Sequence, residues 1–187
     1  MKIVFWNKKG GVGKTALAYT IARDLVLFLL SNDDSIIEIA YPGKAKIIGD
    51  LPVIDDAVFD LGGFVDAHSK DVITAADIVV IPTTSDLNAV KRTASTINDV
   101  RHLDPAKQIV IVANRAKGED FKEIEKHFAD FDVIEIPESR IFEKAIKSKK
   151  SVIDIATASH FSEYTYRKVL SAYKKLLSII QGEQNEK

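Results

Sequence analysis

The chain has 187 residues, 46% of them hydrophobic, with 26 Lys and Arg against 27 Asp and Glu for a formal net charge of −1. That size suits one domain with a substantial core, and a near-neutral chain can meet nucleic acid only through a local patch. The absence of cysteine excludes disulfides, thiolate metal sites and cysteine-held iron–sulfur clusters.

In chain order, the pattern predicts a strand over 2–6, then the glycine-rich stretch Asn7-Lys8-Lys9-Gly10-Gly11-Val12-Gly13-Lys14-Thr15, then a helix over 14–30. The longest apolar run, Leu25 to Leu30, lies in that helix and is too short to span a bilayer; with no signal-like leader, the expected location is cytoplasmic, away from membrane. Strands follow over 35–40 and 57–61, a helix over 67–76, a strand over 77–82, a helix over 86–101, a strand over 107–113, a helix over 119–129 and a strand over 132–136. Two helices, 140–148 and 158–180, close the pattern, the second with Tyr166, Val169, Leu170, Tyr173, Leu176, Leu177 and Ile180 on one face. The single domain is expected over 1–181, with a polar tail over 182–187. Alternating strands and helices predict an α/β three-layer sandwich, with a mostly parallel central sheet and helices on both faces. The histidines, His68, His102, His127 and His160, show no metal-ligand spacing.

Strand, glycine loop and helix in that order make a phosphate-binding loop, so the fold is of the P-loop NTPase type and the expected ligands are ATP or ADP with Mg²⁺. Gly10, Gly11 and Gly13 let backbone N–H groups turn inward, and the N-terminus of the helix, at Thr15 and Ala16, points its positive end at the same place. Lys14 can reach the β and γ oxygens, Thr15 can hold Mg²⁺, and Val12 fills the loop between the glycines. After the third strand, Ala57-Val58-Phe59-Asp60-Leu61-Gly62-Gly63 ends in a carboxylate and two glycines: Asp60 is placed to hold the metal, and Gly62 to offer a backbone N–H toward the γ-phosphate.

The segment from Lys9 to Thr15 resembles the deviant P-loop of the ParA/MinD superfamily of ATPases, most of all the short ParA-type plasmid and chromosome partition proteins. The resemblance extends from Lys2 to about Ile155. It implies a homodimer that forms on ATP, with Lys9 reaching the nucleotide of the partner subunit, and a weak Mg²⁺-dependent ATPase in which Lys9, Lys14 and Asp60 act. It also implies that Asn114, after the fifth predicted strand, meets the adenine edge, and that Pro137 and Glu138 line the base. Asp77 to Thr84 resembles the family segment that leaves the sheet at a proline, although Pro82 reads equally as a turn residue.

One region departs from the family. Relatives carry an aspartate pair and a proline after the second strand, the second aspartate positioning the attacking water, whereas Ile37-Glu38-Ile39-Ala40-Tyr41-Pro42 offers Ala40 or Tyr41 at that place, depending on the register. The expectation is therefore ATP bound well and hydrolysed slowly, with Glu38, Asp50, Asp55 or Asp56 as substitutes for the missing carboxylate. Lys144, Lys147, Lys149 and Lys150, with Arg167, Lys168, Lys174 and Lys175 on the last helix, read either as solvated faces or, on the resemblance, as a sequence-independent DNA surface. The resemblance further implies a centromere-binding ParB-like partner and association with the nucleoid. The alternative is a MinD-like positioning scaffold with little hydrolysis and no DNA cargo.

Overall fold

The computed structural model describes residues 1–64 and 66–182; past Gly182, the predicted polar tail lies outside the described residues. The strands are β1 (Lys2–Phe5), β2 (Phe28–Ser31), β3 (Ala45–Ile47), β4 (Ala57–Asp60), β5 (Ile78–Thr83), β6 (Gln108–Asn114) and β7 (Asp132–Ile136). They form one sheet in the order β3-β2-β4-β1-β5-β6-β7, and every registered pairing is parallel. Parallel neighbours need crossovers, and the helices between strands are α1 (Lys14–Asp24), α2 (Ile37–Ala40), α3 (Ala67–Ala75), α4 (Leu87–Leu103) and α5 (Glu119–His127), while α6 (Ile141–Ser148), α7 (Val152–Ala156) and α8 (His160–Ile180) follow β7. With helices on both faces, the strands are continuous apolar runs and not alternating ones. In β1, Ile3 and Phe5 belong to the core under α1, α6, α7 and α8, while Val4 and the following Trp6 belong to the core under α3, α4 and α5. The three-layer α/β architecture expected from the sequence is the one observed.

Two predicted elements are wrong, and the errors are linked. The helix expected over 14–30 ends at Asp24, and residues Phe28–Ser31 form β2; the strand expected over 35–40 is instead occupied by the short helix α2. α1 stops in a paired-hydrogen-bond C-cap: the Leu27 N–H donates to the Ala22 carbonyl at 2.9 Å and the Val26 N–H to the Arg23 carbonyl at 3.3 Å. The residue at the turn, Val26, has φ 58°, a left-handed conformation that glycine normally supplies and a β-branched side chain resists. A valine gives no stop signal in a run of leucines, so the run reads as uninterrupted helix. Val26 is 64% exposed, so it contributes little burial. Val26→Gly should therefore raise stability by about 1 kcal/mol, measured as a higher denaturant midpoint; an unchanged or lower midpoint counts against strain at this turn.

α7 was not anticipated, although its signal was present: Ser151 and Asp154 form a reciprocal capping box. The α8 stripe is as expected, with Val169, Tyr173, Leu176, Leu177 and Ile180 buried. The Tyr173 hydroxyl donates to Asp24 Oδ2 at 2.7 Å, fastening α8 to the end of α1.

Candidate functional site

β1 carries the glycine loop to the carboxyl edge of the sheet, between its neighbours β4 and β5, where open parallel sheets bind ligands. The loop is held by side chains from outside it. Asn7 is fully buried; its amide nitrogen donates to the Pro82 carbonyl and to Thr93 Oγ1, both at 2.8 Å, and its amide oxygen accepts the Lys9 N–H at 2.8 Å. The Asn114 amide nitrogen donates to the Val12 carbonyl at 2.9 Å, and the Arg115 guanidinium to the Gly11 carbonyl at 2.5 Å. Gly11 and Gly13 have φ of 77° and 95°, and a Cβ on Gly13 would fall on the Asn114 amide nitrogen. Glycine at 13 is thus required twice, by conformation and by space.

Over the loop lies a cleft of about 500 Å³ lined by Gly10, Gly11, Gly13, Lys14, Thr15 and Ala16, closed by Asp33 on one side and by Asn114, Arg115, Ser139, Phe142, Glu143 and Ile146 on the other. Val12 is buried beneath. Lys14 is also largely buried, which lowers the pKa of its ammonium; Asp60 and Asp33 act in the opposite sense. Asp60 is fully buried at the end of β4, its Oδ2 accepting from the Ser31 hydroxyl at 3.4 Å. Burial pushes its carboxyl up to about 6, against the Thr15 hydroxyl and the Lys14 charge, which pull it down. Its Oδ1 is buried with no hydrogen-bond partner. A buried carboxylate oxygen without a donor, in the company of a threonine hydroxyl and a lysine, fits a divalent cation coordinated through oxygen.

This acid sets a pH dependence. Because the folded-state pKa lies above the ordinary carboxylate value, the folded protein without metal holds a proton there and loses stability as pH rises through roughly 4 to 6. Mg²⁺ needs the ionised form. The Mg²⁺-dependent part of nucleotide affinity should therefore fall about tenfold between pH 7.5 and pH 5, and calorimetry on Asp60→Asn should show a weak and flat Mg²⁺ dependence. A wild-type profile that stays flat would remove Asp60 from the metal site.

Carboxylates do follow the observed second strand: β2 ends at Ser31, and Asn32, Asp33 and Asp34 come next, with Asp33 lining the cleft. Glu38 is not its substitute, since its Oε1 accepts the Ile47 N–H at 3.0 Å and ties α2 to the edge strand β3. Asp55 pairs with Lys2 at 2.6 Å, Asp56 with the N-terminus at 2.9 Å and Asp50 with His68 at 3.6 Å. Gly62 gives its N–H to Asn32 Oδ1 at 2.7 Å and does not line the cleft. Nor do Pro137 and Glu138: the wall there is Ser139 with the α6 side chains, and Glu138 pairs with Lys117 at 3.1 Å. Asn114 does line the cleft, with one amide hydrogen committed to the loop. Lys9 folds back, its ammonium donating to the Gly10 carbonyl at 3.3 Å, and is absent from the lining of its own cleft. Asn7, Asp33 and Arg115 are the site residues that sequence reasoning missed. Asp33 was hidden by the unrecognised β2.

Neither a protein-family model nor a curated protein matches this sequence. Solved structures do. An Asp-to-Ala variant of McdA from Cyanothece, in complex with ATP, superposes with a TM-score of 0.73 at 13% identity, covering 99% of this chain and 98% of that one. MinD from Pyrococcus horikoshii, the septum site-determining protein complexed with Mg-ADP, gives 0.65 at 11% identity over 95% and 94%. A candidate plasmid partition protein from Borrelia burgdorferi bound to AMPPNP gives 0.62 at 18% identity over 93% and 98%. The chain thus has the three-layer α/β P-loop fold of the ParA/MinD deviant Walker A ATPases.

Proposed function

We propose that this chain is a ParA-like, ATP-dependent dimeric switch with weak Mg²⁺-dependent ATPase activity, acting in plasmid or chromosome partition with a ParB-like, centromere-binding partner. The observation that carries the nucleotide site is the phosphate loop itself: two left-handed glycines and a buried lysine lie beside an unpartnered buried carboxylate, in a cleft of nucleotide size. Lys14 binds the β and γ oxygens and the backbone N–H groups of Gly11 to Thr15 surround them. Thr15 and Asp60 would hold Mg²⁺, which supplies charge neutralisation across the transferred phosphoryl group. Asp33, the one of the two aspartates after β2 that lines the cleft, orients the attacking water, the role that the resemblance gives to an aspartate at that place. Lys9, turned away from its own cleft, is left to reach a partner's nucleotide.

Partition is supported by the exposed basic residues of α8. Lys174 and Lys175 are exposed and make no ion pair among the described residues, whereas on α6 Lys147 is paired with Glu143. DNA retention should require ATP, because dimerisation doubles the phosphate contacts of a weak half-site. Changing Lys174 and Lys175 together to Glu should lower DNA co-sedimentation at least about tenfold, leaving ATP-dependent dimerisation intact. A double mutant still retained at low salt would move the DNA surface elsewhere. A wild-type protein that dimerises on ATP and never binds DNA would favour the positioning scaffold, a reading that the similarity to MinD supports. Among the described residues no helix is long and apolar enough to cross a membrane.

A further inference from the structure

A second cleft lies behind the phosphate loop, on the α3/α4 side of the sheet. Its volume of about 620 Å³ exceeds the about 500 Å³ over the loop and falls within the range of sites for small organic ligands. Its body is apolar, made by Trp6, Leu103 and Phe64. Trp6 is 1% exposed, and its indole N–H is buried with no acceptor among the described residues. Phe64, 96% exposed, stands at the edge of the cleft.

The polar groups of this cleft are mostly donors. Lys8, Lys70 and Arg92 line it against one carboxylate, Asp99. Lys8 is already committed, 2.7 Å from Asp99 Oδ2 and 2.9 Å from Ser95 Oγ. The side chains of Lys70 and Arg92 make no ion pair and no hydrogen bond among the described residues. His102, whose Nδ1 lies 2.6 Å from the Asn98 carbonyl, keeps its other ring nitrogen uncommitted. A chain of net charge −1 thus places two exposed cations, without an ion pair among the described residues, at the rim of an apolar cleft, a juxtaposition that suits an anionic group carried on an apolar body.

We propose that this cleft binds a small organic anion, a ring-sized apolar body seated against Trp6 and Leu103 with a carboxylate or phosphate group held by Arg92 and Lys70. The two walls are the back of the phosphate loop, at Trp6 and Lys8, and the segment after β4. They touch: a Cβ on Gly63 would come within 3.3 Å of the Lys8 carbonyl.

Trp6 is the single tryptophan of the chain, so its emission reports on this cleft without labelling. Phenyl phosphate should change that emission saturably, benzyl alcohol should not, and inorganic phosphate should bind at least about tenfold more weakly for lack of the ring. Arg92→Glu, at an exposed position, should weaken phenyl phosphate by about tenfold or more, while Lys14→Ala should leave it unchanged. Loss of binding in Lys14→Ala with retention in Arg92→Glu would put the probe on the phosphate loop and overturn the proposal. So would equal binding of inorganic phosphate, equal binding of benzyl alcohol, or no saturable change. None of these readouts depends on ATP binding, so this site and the nucleotide site fail independently.

Discussion

Lys14→Ala abolishes ATP binding, and Lys9→Ala leaves it nearly intact while removing the ATP-dependent dimer: this is the expected outcome of the pair. The two lysines are five residues apart on one loop, and they differ in where their ammonium groups sit. Lys14 is largely buried at the start of α1, under the cleft, with Asp60 and Asp33 close enough to offset part of the cost of burying its charge. Its removal takes away charge-assisted contacts to two phosphates, worth at least about 100-fold in affinity. Asp60 simultaneously loses the cation that helps keep its carboxyl ionised, which weakens Mg²⁺ as well. Lys9 donates back to its own loop and forgoes little when truncated in the monomer. Calorimetry for nucleotide and light scattering for dimer mass separate the two effects. Equal loss of affinity in both mutants would end the cross-subunit role of Lys9.

The second large effect is expected at Asp33. Asp33→Ala should bind ATP at least as well as the wild type, because it deletes a negative charge beside the phosphates, and should lose about 100-fold or more in single-turnover hydrolysis. Glu38→Ala, by contrast, should leave hydrolysis unchanged and cost only the hydrogen bond that holds α2 to β3. Brisk hydrolysis in Asp33→Ala would show that another group orients the water.

These two cases also mark what was legible in the sequence. The phosphate loop and the Asp60 strand were readable because their chemistry is local: glycines that must take φ above zero, a lysine and threonine at fixed offsets, a carboxylate at a strand end. The carboxylate after the second strand has the same local logic and was misplaced, because Leu25 to Leu30 carries no glycine where the chain turns back and Val26 takes the left-handed conformation instead. Assigning the run to α1 pushed the second strand forward into a helix and exchanged Asp33 for Ala40. The wall of the cleft failed for a different reason. Whether Pro137 and Glu138 or Phe142 and Ile146 face the ligand depends on how α6 is packed against α1, which no short-range pattern records.

The hydrogen bonds that hold the phosphate loop have a temporal side. Asn7 is anchored to Pro82 and Thr93, and Gly11 and Val12 to Arg115 and Asn114, so the loop at the very start of the chain is shaped by residues made much later. The central strand β1 likewise finds its neighbours only in β4 and β5. A growing chain on the ribosome therefore carries an unformed nucleotide cradle until the sixth strand has been synthesised. Such distant pairings also make for slow closure of the domain, and they leave any fragment ending before Asn114 with the Asn7 anchors but without the clamps on Gly11 and Val12.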